Sequence, residues 1–337
     1  MSGRAVEDVR ATPVSAPWSL RLSGVNPAVV LLASGLSIAF LFASLWFLLR
    51  EKPLLRRPSV AASPVRAGDQ IAAVQERLRQ NPQDIGALVE MGIILFEQGR
   101  SSYVDAIGDL EEARDLGALD PRIFYCLGIM YQEEGLYPFA LTEYKRFLRH
   151  YPDDKEVRML TGKLYYRMGL FPDAVEEFER LKFQEPGDPL IDENLGLSLW
   201  GAKFIDRAAG TFAQLKTSGG DYSRRADYYL GQIALESGKV QDAYDHFVLI
   251  GNSEVPGLDA GKIQTGLAMA AQKLGKWDEA QMAWAAALRS SPGDAKANAA
   301  LREVTRRAKA AKKAAEASEA AARRAAERAA RAAAKNR

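Results

Sequence analysis

Two histidines, one cysteine and 43 carboxylates are the material for chemistry in this 337-residue chain. Metal ligation or general acid–base work needs such groups three or four residues apart on one helix face, or brought together from two elements. His150 ends a predicted helix just before Tyr151 and Pro152, where a cation sits well against the helix dipole. His246 lies in another segment, and neither histidine belongs to an H-E-x-x-H spacing. Cys126 stands alone, which excludes an intramolecular disulfide framework or a cysteine-rich zinc site. Beside Tyr125 and Leu127 it reads as a buried, inert thiol. Glu133 with Glu134, and Glu176 with Glu177, are adjacent, so each pair points to different sides of a helix and forms no shared carboxylate site. No phosphate-cradling glycine loop with Lys-Ser/Thr occurs, and no G-x-S-x-G elbow. The expectation is a protein that is not an enzyme and holds no cofactor or metal.

The remaining chemistry is that of recognition, and a repeat positions it. Gly128, Gly135, Ala140, Tyr144 and Pro152 recur 34 residues later as Gly162, Gly169, Ala174, Phe178 and Pro186. The register continues through Gly196, Ala208 and Phe212, with Lys203 where a turn glycine belongs. It continues again through Gly231, Gly238, Ala243 and Phe247, then Ala268, Gly275, Ala280, Trp284 and Pro292. Upstream, Gly92, Gly99, Ala106 and Leu110 fit after a short insertion at Ser101 and Ser102. The marker positions 92, 128, 162, 196, 231 and 268 are 36, 34, 34, 35 and 37 apart. Small residues let two helices approach, and Tyr131 and Tyr144 are the large partners expected to fill the gap. Turn glycines supply a left-handed residue, and Pro-Asp or Pro-Gly-Asp stops one helix and caps the next. No segment alternates as a strand does, so the chain reads as all-α.

Six units of this kind resemble the tetratricopeptide repeat over about residues 84–294. The resemblance implies a right-handed α-solenoid of about six helical hairpins, stabilised by nearest-neighbour stacking. It also implies a concave groove lined by the first helix of each unit. The sites three before, one after and four after each marker are Val89, Ile93 and Phe96; Tyr125, Ile129 and Gln132; and Met159, Lys163 and Tyr166. They continue with Glu193, Leu197 and Trp200; Tyr228, Gln232 and Leu235; and Thr265, Met269 and Gln272. Members that clamp a terminal carboxylate use Lys and Asn there; Val89, Ile93, Tyr125 and Ile129 depart from that pattern. The groove should instead take an apolar peptide or one face of an amphipathic helix.

Outside the repeats, residues 1–26 read as a flexible arm, and 27–49 as a transmembrane helix built on the uncharged run 28–49. Within it Gly35, Ala39 and Ala43 form a small-residue face suited to self-association. More Arg and Lys follow this run than precede it, which favours a single pass through a bacterial inner membrane with the repeats on the cytoplasmic side. Residues 50–68 read as a Pro-rich linker, 69–304 as the solenoid with a capping helix at each end, and 305–337 as a basic Ala-rich tail. The net charge of +2 hides a split, since residues 302–337 carry twelve Lys or Arg against four Glu. No aromatic residue interleaves those cations, so nucleic acid is not the expected partner. The sequence as a whole points to a membrane-anchored, non-catalytic scaffold for other proteins. The alternatives are an extracytoplasmic assembly factor, or a protein whose basic tail does the binding.

Overall fold

The computed structural model describes residues 64–251 and 254–335, and these form fourteen α-helices with one short 3-10 turn. Helix α1 (Pro64–Gln80) precedes six hairpins. These are α2 (Ile85–Gln98) with α3 (Tyr103–Asp115), α4 (Pro121–Glu133) with α5 (Tyr137–His150), and α6 (Lys155–Arg167) with α7 (Phe171–Gln184). Then come α8 (Pro189–Gly201) with α9 (Ile205–Lys216), α10 (Gly220–Glu236) with α11 (Val240–Ile250), and α12 (Ala260–Lys273) with α13 (Trp277–Ser290). Helix α14 (Ala295–Lys335) closes the array.

Each hairpin is held by a ring in a glycine notch. A methyl group placed on Gly128 would lie 2.4 Å from the Tyr144 ring, and one on Gly162 would lie 2.8 Å from Phe178. Gly196 meets Phe212 and Gly231 meets Phe247 in the same way, and Gly92 meets Leu110. Tyr144, Phe178, Phe212 and Phe247 are fully buried. The second expected filler differs: Tyr131 packs against the Phe139 ring and donates its hydroxyl to Glu111 instead of entering the notch. In the last hairpin Ala268 replaces the glycine and Trp284 the ring. The rings also bind neighbours. Tyr229 of the fifth hairpin lies against Phe212 at 4.7 Å between centroids, and Gly266 of the sixth lies against Phe247.

Helix starts and stops follow local chemistry. Asp84, Asp120, Asp154, Asp188 and Asp259 each accept a backbone N–H of the first turn of α2, α4, α6, α8 and α12. In the third hairpin the cap is thus Asp154, not the Asp153 that directly follows Pro152. Gly135, Gly169, Gly238 and Gly275 take φ of 74° to 77° at the hairpin turns. Lys203 holds φ 67° at the equivalent place, the one non-glycine left-handed residue among the described residues.

The core is serial rather than central. Leu141 packs against both the first and second apolar clusters, Tyr228 and Leu258 join the second to the next, and Tyr244 and Leu267 join that to the last. Helix α1 closes one end, with Val74 buried against Ala87 and Met91. It starts at Pro64, five residues ahead of the expected amphipathic segment. At the other end Ala297 and Val304 of α14 cover Trp284 and Ala283.

Two expectations are corrected. The spanning helix over 28–49, with Gly35, Ala39 and Ala43, lies outside the described residues, and among the described residues no helix is long and apolar enough to cross a membrane. The hairpin helices alternate apolar and charged positions at helical spacing, and their apolar stripes are taken up by neighbouring helices. A membrane anchor, self-association through it and a single-pass inner-membrane location are therefore dropped from the account. Nor is there a separate tail: α14 runs unbroken for 41 residues, because no Gly or Pro interrupts its Ala, Arg, Lys and Glu.

Charge is uneven along α3. Asp105, Asp109 and Glu112 share one side of that helix. Burial first, then the charges of Asp105 and Glu112, push the Asp109 carboxyl up to about 6.

Three outcomes follow from this packing. Gly162→Ala forces a methyl group onto Phe178 and should cost about 1–3 kcal/mol in urea unfolding. Gly210→Ala, in an exposed helix position facing open space, should gain about 0.5–1 kcal/mol in the same assay. Lys203→Gly relieves the left-handed strain and should raise stability by about 0.5–1 kcal/mol, after offset by the greater freedom of unfolded glycine. Folded Asp109 holds its proton more tightly than the unfolded chain does. Its contribution is therefore full below the usual carboxylate range and lost as pH rises through about 6. Asp109→Asn should stabilise by about 1 kcal/mol at neutral pH after solvent screening, and the gain should vanish near pH ~4 in parallel melts.

Candidate protein-binding groove

The first helices of successive hairpins touch one another, α2 with α4, α8 with α10 and α10 with α12, so they line one side of the array together. The residues that the repeat register assigns to a groove lie on them, in three states of exposure. Val89, Tyr125, Ile129 and Glu193 are buried. Ile93, Phe96, Gln132, Met159, Leu197, Trp200, Tyr228, Gln232, Leu235, Thr265 and Gln272 are half-buried. Lys163, Tyr166 and Met269 are exposed.

Several of these side chains tie hairpins together. Tyr125 donates its hydroxyl to Glu156 of the next hairpin at 3.0 Å. Glu193 accepts the Tyr229 hydroxyl at 2.8 Å and pairs with Arg225 at 3.1 Å. The Trp200 indole N–H donates to Glu236 at 3.0 Å. Gln132 and Gln272 serve their own hairpins, accepting the Tyr144 hydroxyl at 3.2 Å and the Trp284 N–H at 3.1 Å. Where the notch ring is phenylalanine and needs no acceptor, the same site holds Tyr166, Trp200 or Leu235. That pairing was readable in the sequence once the notch partner was known.

A further feature lies at the α1 end. An open cavity of about 540 Å³ lies between α2 and α4, reached past Gln70 of α1. Its apolar wall is Ile85, Val89, Ile93, Ile94, Ala118 and Leu119, the last 80% exposed at the lip. Glu90, Glu97, Asp120 and Arg122 supply the polar lining. Asp120 and Arg122 pair at 2.6 Å, and Glu90 is held by Arg77 at 2.8 Å. The register found Val89 and Ile93 but missed Ile85 and Ile94, which lie on α2 outside the three register sites, and Leu119, which lies on the loop 116–120. Tyr166 stands farther along the same side, edge-on to Phe171 at 5.3 Å between centroids, and burial raises its hydroxyl pKa.

Reactive groups are elsewhere and occupied. Burial pushes the Cys126 thiol up to about 12, which keeps it protonated and inert. His246 and Lys216 both reach Asp227, at 2.8 Å and 2.7 Å. Burial raises that carboxyl, but these hydrogen bonds outweigh it and hold it below its ordinary value. His150 stacks on Phe124 at 5.7 Å between centroids. Among the described residues no group of His, Cys, Asp and Glu is placed to hold a metal ion.

Comparison with known proteins agrees with this build. No curated protein sequence matches the chain. Its fold is similar to the C-terminal part of a TPR repeat-containing protein from Cytophaga hutchinsonii, at TM-score 0.53 and 16% identity over 70% of this chain and 95% of that one. It is also similar to YrrB, described as a TPR protein with an unusual peptide-binding site, at TM-score 0.47 and 16% identity over 61% of this chain and 99% of that one. Naa15/Naa10 bound to HypK-THB aligns at TM-score 0.47 and 18% identity over 71% of this chain, which spans only 37% of that one. At such identities the likeness is one of fold. The family model described as tetratricopeptide repeat matches residues 127–189 and 194–247, which fall within hairpins two to five.

Proposed function

We propose that the array is a protein-interaction scaffold that takes an apolar peptide, or the apolar face of an amphipathic helix, along the side formed by its first helices. The observation that carries this reading is the cavity between α2 and α4, where Ile85, Val89, Ile93, Ile94 and Leu119 surround a space of about 540 Å³. A cleft walled by apolar side chains with a few charged groups at its edge has the make-up of a binding site. The buried Tyr125, Ile129 and Glu193 act here as structure, and the exposed Tyr166 and Met269 extend the contact surface beyond the cavity. No Lys–Asn pair stands where a terminal carboxylate would be clamped, so the partner is engaged through an internal apolar segment.

A photoreactive amino acid at Leu119 tests this, with one at Phe183, which is 88% exposed on a second helix, as control. Leu119 should crosslink to a defined partner segment and Phe183 should not; equal capture from both sites would reject the groove. Leu119→Ser with Met269→Ser should leave the melting temperature unchanged and weaken that partner by about 30-fold, the loss expected for truncating interface anchors.

A further inference from the structure

The strongest feature that partner binding leaves unexplained is α14. Beyond Val304, which is buried on the last hairpin, the helix is almost wholly exposed, and from residue 309 to 329 every residue is exposed. Arg306, Lys309, Lys313, Arg324, Arg328 and Arg331 are separated by three, four, eleven, four and three residues, so they follow one face. Residues 302–337 carry a net charge of +8. At about 1.5 Å per residue the exposed part reaches roughly 45 Å, enough to cross four or five helices packed 8–10 Å apart.

The opposite charge lies at the other end of the same chain. Residues 64–301 contain 36 Asp or Glu against 26 Lys or Arg, and α3 (residues 103–115) contains five against one. On α3, Asp105, Asp109 and Glu112 have no cation within ion-pairing distance among the described residues, and Val104 beside them is 82% exposed. Burial is the main reason the Asp109 carboxyl is raised, and the neighbouring charges of Asp105 and Glu112 add to it. The chain cannot pair these carboxylates with its own α14. That helix packs on α13, is unbroken, and leaves from the far end of six serially stacked hairpins.

We propose that the basic face of α14 in one copy docks across the acidic first hairpin of a second copy, joining copies head to tail. Charge complementarity selects this occupant over other polyanions. After Val304 the helix has no Leu, Ile, Phe or Trp to enter a bilayer and no aromatic residue to stack on bases. An acidic counter-surface, by contrast, is present on every copy. Such a contact joins two different surfaces, so it extends into a series instead of closing as a dimer. It uses the second-helix side and leaves the groove free, and so does not depend on the function proposed above.

Sedimentation of the 337-residue chain tests the contact. At about 50 mM salt the wild type should show a concentration-dependent ladder of sizes, collapsing to single copies at about 500 mM, where screening is strong. Lys309→Glu with Lys313→Glu and Arg324→Glu should weaken association at least tenfold, and so should Asp105→Lys with Asp109→Lys and Glu112→Lys. Mixing these two variants should restore assembly, because each then offers the other a complementary surface; the restoration also shows that both are folded. A wild type that stays a single species at low salt overturns the proposal. So does association that either charge reversal leaves intact, or a mixture that fails to reassemble. Uptake of the wild type by anionic vesicles or RNA without self-association overturns it as well, assigning α14 to another polyanion.

Discussion

The array depends on a large ring seated where a helix has no side chain. In four hairpins a glycine of the first helix and an aromatic residue sixteen positions on are in contact, too close for a Cβ to intervene. Two helices packed through a glycine approach more closely than ridges and grooves of ordinary side chains permit. The ring then fills the space that this approach would otherwise leave empty, with no solvent-accessible remainder. Because Phe212 and Phe247 also meet Tyr229 and Gly266 of the following hairpins, one residue fixes both the geometry within a unit and the step to the next. This is why the period is kept so closely where the notch is glycine, and why the final unit, with Ala268 and Trp284, needs Gln272 to satisfy the indole.

Polar ties reinforce the same direction. Buried Glu193 joins Tyr229 and Arg225, Asp227 joins Lys216 and His246, and Tyr125 joins Glu156; most of these pairs cross from one hairpin to another. A buried carboxylate with several donors is specific, because removing one partner leaves a charge that water cannot reach. Stacking supplies the attraction between units, and these bonds restrict its register. The consequence for function is that much of the expected groove is already engaged by the fold itself. At the α1 end the loop 116–120 leaves Leu119 exposed at the lip of an apolar cavity.

The two ends of the described chain differ in kind. The α1 end is acidic and carries the cavity, whereas α14 is basic, long and without a core to join. Its helicity comes from local terms: Ala, Arg, Lys and Glu are strong helix formers, and Glu303 bonds Arg306 and Arg307 across single turns. Such a helix does not need the array to fold, and its electrostatic field extends beyond it.

The sequence by itself determined the hairpin count and the positions of the turns, because glycine, proline and aspartate act locally and a period of 34 is unambiguous once six units are aligned. It also determined that Cys126 would be inert and that no catalytic spacing exists. Tertiary structure alone decided which register positions stay open. Ile129 and Met269 occupy the same groove position, one after the marker, yet one is buried and the other exposed. It decided that Lys203 keeps a glycine's backbone conformation, because neighbouring hairpins fix the turn whatever residue occupies it. It also decided that the basic segment is no separate tail but the continuation of the capping helix: composition shifts after Val304, yet the helix runs unbroken from Ala295 to Lys335.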